Sequence, residues 1–523
     1  MSTVGQTRIS IMDTTLRDGE QTPDIAYTAS EKLHVARMLL ADLEVDRIEI
    51  ASARVSSGEL EAAQRVTEWA SEAGLIDRVE MLGFCDGKRS VDWIRQAGGR
   101  AMNLLAKGSE HHCRNHLQMT PEQHIERIAD TVAYARENGV RVSVYLEDWS
   151  NGVRDSFEYV TSLVNAIQQL DVERVYLADT LGILAPEDVR HYISVMTVTW
   201  PDIGFEFHGH NDYGLATANA MAAIQAGASG VHVSVNGLGE RAGNTSLAEI
   251  VAAIADHTEC VTGVNESRLA MISNLVETFS GKKVSANSPI LGNDVFTQTA
   301  GVHADGDAKG DLYATRLAPQ RFGRERRYAL GKLSGKASLD HNLERLGITL
   351  TEENRQKVLD RIIELGDKKH TVAPEDLLMI IADVLKTPAE HVVRIENYSI
   401  SVASAGEPNA TVSVSFRGET AEASSTGDGG YDAFMRALKE AVAQYGIVVP
   451  RLADYRVRIP PGGRTEALVE TLISWGDDAE GHSFSTIGVD SDQTAAAVIA
   501  TEKMLNIIAH EESMTDEFRA LSR

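Results

Sequence analysis

Over its first half the chain alternates short runs of β-branched and apolar residues with longer segments of helical period, and it does so eight times. The runs are Arg8–Thr15, Asp46–Ser52, Arg78–Phe84, Ala101–Lys107, Arg141–Asp148, Arg174–Thr180, Gly204–His210 and Gly230–Gly237. Each precedes a segment that predicts a helix: Ser30–Leu43 with Ser30 as N-cap, Gly58–Ala73, Ser90–Ala97, Thr120–Asn138 with Pro121 in its first turn, Ser156–Leu170, Ala185–Met196, Ala216–Ala226 and Ser246–Asp256. Parallel strands need crossovers of this kind, and eight such units ending near residue 260 predict a TIM (β/α)8 barrel over residues 1–260.

The pattern then changes twice. Residues 261–390 read as a linker with small helical subdomains, and the stretch 280–327 within it is rich in Gly, Asn, Asp, Lys and Arg with little periodicity. Residues 391–523 read as a separate α/β domain. Three strand-like runs, Val392–Ala403, Ala410–Arg417 and Glu419–Ser425, precede a helix over Tyr431–Tyr445; three more, Arg451–Ile459, Ala467–Trp475 and Ser483–Val489, precede one over Gln493–His510. A βββα unit is thus written twice, each helix following a similar turn, Gly427–Gly430 or Gly488–Ser491.

Composition narrows the partners. A formal charge of −26 repels phosphate backbones and anionic membranes, so nucleic acid is not expected. The three cysteines, Cys85, Cys113 and Cys260, are widely spaced and predict neither a disulfide framework nor a cysteine metal site, which fits a cytoplasmic protein. No apolar run is long enough for a signal peptide or a membrane span.

Active sites of such barrels lie at the C-terminal ends of the strands. There the sequence places Arg17 and Asp18 after strand one, Glu49 on strand two, Glu147 and Asp148 on strand five, Asp179 and Thr180 on strand six, His208 and His210 on strand seven, and Asn236 and Asn244 after strand eight. His208 and His210 are two apart on a strand, so both side chains leave one face and can converge with Asp18 on a divalent ion: Mn, Mg, Zn or Co. An isolated H-x-H would be one backbone-bonded and one solvated histidine; the strand-seven position and the facing Asp18 favour the metal. Arg17 could stabilise an oxyanion at the same place or form a surface ion pair. Glu147 is either a structural partner of Arg or Lys or an acid/base. The basic stretch Arg321–Arg327 reads as a solvated charge run before it reads as a phosphate contact, and the Gly-rich stretches lack the context of a nucleotide loop.

Two long motifs carry a resemblance. Asp13-Thr14-Thr15-Leu16-Arg17-Asp18-Gly19-Glu20-Gln21 resembles the D-x-T-L-R-D-G-x-Q signature of the 2-isopropylmalate, homocitrate and citramalate synthases, and His208–Asp212 with Asn219, Gly227 and Asn236–Asn244 resembles their second signature. The resemblance covers essentially the whole chain. It implies a metal held by Asp18, His208 and His210 with Asn244 close by, and a 2-oxo acid whose ketone is polarised by Arg17 and whose carboxylate is held by Thr180. Acetyl-CoA would supply the nucleophilic carbon. Glu147 and the linker residues His303 and Tyr313 would handle protons, the latter two in a homodimer across the subunit boundary.

The segment V-Y-L-E-D-W-S-N-G is similar to that of the citramalate synthases, which use pyruvate. Tyr145, Leu82 and Leu105 would fill the pocket down to the size of a methyl group, although the two leucines could also be plain barrel filling. On this reading the product feeds isoleucine synthesis, and the C-terminal regulatory domain would bind isoleucine as an allosteric effector near Tyr431, Asp432 and Tyr455, which could equally be core. The alternatives are a 2-isopropylmalate synthase using 2-oxoisovalerate and, from another class, a non-catalytic amino-acid sensor. A hydroxymethylglutaryl-CoA-type lyase would want a cysteine in Asn236–Ser246, and a carboxylase a biotinyl segment; neither is there.

Overall fold

A computed structural model describes residues 6–299, 306, 309–310, 312–346, 348–367, 372, 377, 380–381, 392–403, 406–458, 469–476 and 484–521. Eight strands form a closed barrel: β1 (Ser10–Asp13), β2 (Arg47–Ser52), β3 (Val79–Phe84), β4 (Ala101–Lys107), β5 (Arg141–Glu147), β6 (Val175–Asp179), β7 (Phe205–Gly209) and β8 (Gly230–Val233). Each pairs in parallel with its sequence neighbour, and β1 closes the barrel by pairing Ser10–Asp13 with Gly230–Val233. The strands are almost wholly buried because helices cover them outside and their own side chains fill them inside.

Local chemistry sets the boundaries. β1 is shorter than the run that predicts it, since the carbonyl of Thr14 accepts from the amides of Arg17, Asp18 and Gly19 at 3.1, 2.8 and 3.0 Å and turns the chain there. The first helix begins at Ala29, not at Ser30. Thr28 is its N-cap, because Thr28 and Glu31 exchange hydrogen bonds as a capping box, and the helix runs on from Met38 to Asp42 as a π-turn. Thr120 and Gln123 form a second capping box, with Pro121 in the first turn as predicted. Short helices at Glu110–Asn115 and Trp149–Asp155 are additions at the strand ends, too brief to leave a periodic signal.

The chain divides into two compact units, Met1–Thr297 with Ala314–Arg326, and Gln298–Tyr313 with Arg327–Arg523. In the first, Arg321 pairs with Asp256 and Glu266, and Arg324 donates to the carbonyls of Ile290, Leu291 and Gly292, so both arginines serve structure. In the second, helices Lys336–Arg345 and Glu352–Asp367 pack around Leu339, Leu343, Val358 and Ile362. The twice-written βββα unit is present as two antiparallel sheets, β9 (Val393–Ser401), β10 (Asn409–Phe416) and β11 (Glu419–Thr426), and β12 (Leu452–Arg458), β13 (Val469–Trp475) and β14 (Phe484–Asp490). Helix Gly430–Ala443 packs on the first sheet and Gln493–Leu521 on the second, around Phe434, Leu438, Ile473, Trp475 and Met504. No helix of the described residues is long and apolar enough to cross a membrane.

Candidate active site

The turn after β1 builds the first part of the site. Thr14 and Thr15 tie it to the end of the adjoining strand β8: Thr14 Oγ1 donates to the Val233 carbonyl at 3.1 Å, and Thr15 Oγ1 accepts from the Val235 amide at 2.8 Å. The buried Lys32 donates to the Leu16 carbonyl from below at 3.0 Å. So fixed, Arg17 donates through Nε to Glu49 Oε2 at 2.6 Å and lies 3.6 Å from Asp18 Oδ1. Asn103 Nδ2 donates to the other Glu49 oxygen at 2.8 Å. Burial disfavours every charge here. The Arg17 guanidinium and the two histidines overcome it at Asp18 and hold that carboxyl well below the usual carboxylate range. At Glu49 burial prevails and lifts the carboxyl above its ordinary value against the pull of Arg17.

Strand seven brings up the rest. His208 Nε2 lies 3.1 Å from Asp18 Oδ2, His210 Nε2 lies 3.9 Å from the same oxygen, and the two imidazole nitrogens are 3.3 Å apart. All three side chains are buried, and one ligand atom from each falls within 4.8 Å of the others. Asn244 donates to Asp18 Oδ2 at 3.0 Å and is paired across a β-bridge with His210, which positions its amide beside the group. Its Oδ1 is buried without a hydrogen-bond partner. Burial and the neighbouring His208 push the His210 imidazole down to about 4, so it is a neutral donor of an electron pair. Two imidazole nitrogens and a carboxylate oxygen at these separations match ligands of one ion bound at about 2.0–2.2 Å. The donor set therefore fits a divalent cation, and it is the one such cluster found among the described residues.

Tyr145, Leu82 and Leu105 are brought together inside the barrel with Met12, Tyr176 and Ala178. The Tyr145 ring stands edge-on to His208 with centroids 5.7 Å apart, beneath the Arg17 guanidinium. Glu147, at the end of β5, pairs with Lys107 at the end of β4, its register partner. The Thr180 hydroxyl accepts from the Asp148 amide at 2.8 Å, which leaves its own proton to donate. Tyr313 belongs to the second compact unit and is 42% exposed; His303 lies outside the described residues. In the C-terminal domain the Tyr431 ring lies 5.1 Å from that of Tyr455, tilted 51° to it, and its hydroxyl bonds Thr501 at 2.7 Å, whereas Asp432 accepts from the Asp428 amide and pairs with Arg436.

Sequence reasoning left Lys107, Asn103, Arg47, Glu80, Glu206 and His232 without a role. Their signal was present: a charged or amide side chain inside a parallel strand buried on both faces needs a partner within the barrel.

Comparison with known proteins matches the chain in three stretches. A family model described as HMGL-like matches residues 8–276, one described as homocitrate synthase post-HMGL domain-like matches 290–370, and one described as the LeuA allosteric (dimerisation) domain matches 371–509. A Methanopyrus kandleri protein provisionally named (R)-citramalate synthase CimA is 36% identical over 90% of this chain and 91% of its own. A second protein of that organism, given as a probable 2-isopropylmalate synthase, is 35% identical over 96% and 98% of the two chains. The (R)-citramalate synthase CimA of Methanocaldococcus jannaschii is 31% identical over 96% and 99%.

Proposed function

Because the chain belongs to the HMGL-like family of (R)-citramalate and 2-isopropylmalate synthases, we propose that it condenses acetyl-CoA with pyruvate and hydrolyses the thioester to give citramalate and CoA. The observation that carries this reading is the convergence of Asp18, His208 and His210 beside the buried Arg17 at the strand ends. Asp18, His208 and His210, with the free amide oxygen of Asn244, would hold a divalent ion: Mn, Mg, Zn or Co. Such an ion supplies Lewis acidity toward a ketone and its neighbouring carboxylate.

The protein's own groups do the rest. Arg17, oriented by Glu49, aims positive charge at the place where the ketone oxygen gains negative charge. Thr180 has a hydroxyl proton left for the substrate carboxylate. Glu147, which pairs with Lys107, would transfer protons, and we assign His303 and Tyr313 to the same task, supplied across a homodimer. Tyr145, Leu82 and Leu105 close the pocket around a methyl group, which favours pyruvate over branched acids. The match to a LeuA allosteric (dimerisation) domain supports feedback control through the C-terminal unit; the effector we assign is isoleucine, bound near the adjacent rings of Tyr431 and Tyr455. Asp432 would join them only by leaving Arg436.

The test is free-thiol release from acetyl-CoA with pyruvate, 2-oxoisovalerate and 2-oxoglutarate in parallel, with and without added divalent metal. Metal-dependent turnover far highest with pyruvate is expected. A preference for 2-oxoisovalerate would make the chain a 2-isopropylmalate synthase, a reading kept open by relatives of both names at nearly equal identity. No thiol release with any acid would leave an amino-acid sensor.

A further inference from the structure

Beneath the candidate site a line of buried polar groups crosses the barrel. Tyr145 rises from β5 and its hydroxyl lies 2.8 Å from Nδ1 of His232 on β8. Nε2 of His232 lies 3.2 Å from Oε2 of Glu206 on β7. Arg47 on β2 donates to both Glu206 oxygens at 2.6 Å, and Arg174 adds a contact at 3.3 Å. Tyr145, His232 and Glu206 are at most 2% exposed.

The chemistry of these groups fixes the direction of each bond. A carboxylate oxygen only accepts, so the proton between Glu206 and His232 belongs to Nε2. With the imidazole proton on Nε2, Nδ1 is the acceptor for the Tyr145 hydroxyl 2.8 Å away. The tyrosine is therefore tethered at both ends, through its backbone on β5 and its oxygen on β8. In between, the ring meets His208 at its edge and packs with Met12 and Leu82. An untethered ring can pivot and admit a larger substrate; a tethered one must first break a buried hydrogen bond, a cost of roughly 1–3 kcal/mol.

We infer that His232, oriented by Glu206, is a positioning residue that fixes the Tyr145 ring as the inner wall of the pocket and thereby sets which 2-oxo acids fit. The inference rests on the proposed condensation and goes further, since neither family motif includes His232 or Glu206. The experiment compares kcat and KM for pyruvate and 2-oxoisovalerate in the full-length wild type, Tyr145→Phe, His232→Leu, His232→Asn and the double variant Tyr145→Phe/His232→Leu. The preference for pyruvate is expected to fall about tenfold in Tyr145→Phe and in His232→Leu, mainly through KM. The double variant should be no worse than either alone, because both break one bond. His232→Asn, whose amide oxygen can replace Nδ1 as acceptor, should keep most of the preference.

Wild-type preference in Tyr145→Phe, or multiplying effects in the double variant, would overturn the inference. Should His232→Leu fail to fold, Tyr145→Phe still decides it. A wild type that turns over neither acid refutes the condensation instead, and the tether is then read from the 15N resonances of His232 in the histidine-labelled chain. A bare Nδ1 whose shift changes in Tyr145→Phe is expected; His232 resonances that do not change in Tyr145→Phe would refute the tether.

Discussion

The barrel holds two buried arginine–carboxylate clusters one above the other, and they differ in what they leave unsatisfied. In the lower, Arg47 bonds Glu80, Glu206, Tyr176 and Ser10, Tyr176 donates to Glu80, and Arg174 supplies a second guanidinium, so that two cations face two carboxylates. In the upper, Arg17 alone faces Asp18 and Glu49, with His210 neutral. Around the upper cluster Asn103 Oδ1, Asn244 Oδ1 and the Nδ1 atoms of His208 and His210 are buried without partners, as is Asp13 Oδ2 at the end of β1. Identical residue types on adjoining strands thus do different work. A cluster whose charges and hydrogen bonds are all matched holds the fold, and one left with surplus carboxyl groups and idle acceptors is built to receive something.

The largest effect should come from breaking the lower cluster. Arg47→Met strips Glu80 and Glu206 of their main partner and is expected to cost about 3–5 kcal/mol of stability, read by urea unfolding of the barrel. A loss below about 1 kcal/mol would mean that these charges are already solvated.

Next comes Asp13, which carries the upper imbalance furthest. It is fully buried, and although the Thr15 amide donates to its Oδ1 at 2.9 Å, burial lifts its pKa from 3.8 to about 7. The folded state then keeps a proton that the unfolded chain releases between these values, so stability falls as pH rises through that window. Asp13→Asn should match the wild type near pH 4 and exceed it by as much as about 4 kcal/mol above pH 7, at about 1.36 kcal/mol per pH unit. A difference independent of pH would show that the Asp13 carboxyl is not desolvated.

How far the sequence reveals this contrast depends on which residues are asked. Period and turn chemistry located the eight strands and both βββα units, because β-branched runs and Pro, Ser or Thr at helix starts are local signals. Ser30 misled for the same reason: it and Thr28 are both good caps, and only the bond to Glu31 chooses between them. The metal-ligating candidates Asp18, His208 and His210 were legible from strand parity and their place at the strand ends. The lower cluster was not, since Arg47, Glu80, Glu206 and His232 come from four strands and only the closed barrel reveals that they meet. The pairing of Glu147 with Lys107 depends likewise on β4–β5 register, which no single run contains.

Metal is the direct way to sharpen the comparison. A divalent cation at about a hundredfold over its dissociation constant should stabilise the upper cluster by about 2.7 kcal/mol, seen as a rise in unfolding temperature of the barrel. Asp18→Asn and His208→Ala should abolish that rise, whereas Glu206→Gln, which alters the matched cluster, should retain it. A rise that survives both upper substitutions would place the cation elsewhere.

The smallest and most discriminating effect concerns Lys107 and Glu147, a pair whose kind the charge argument leaves open. Like the lower cluster it is matched, one cation to one carboxylate across neighbouring strands. Like the upper it lies at the strand ends, with Glu147 partly open to solvent while Lys107 is buried. If the pair orients an acid/base, Lys107→Met should lower kcat/KM by about ten- to hundredfold, roughly 1.4–2.7 kcal/mol, and leave the metal-induced rise in unfolding temperature intact. Glu147→Gln should act in the same direction, and the two together should cost little more than the worse of them, since either disables one unit. If Lys107→Met instead keeps kcat/KM within twofold while lowering stability, the pair belongs with Arg47 and Glu206 as structure, and proton transfer falls to His303 and Tyr313, the other residues proposed for it.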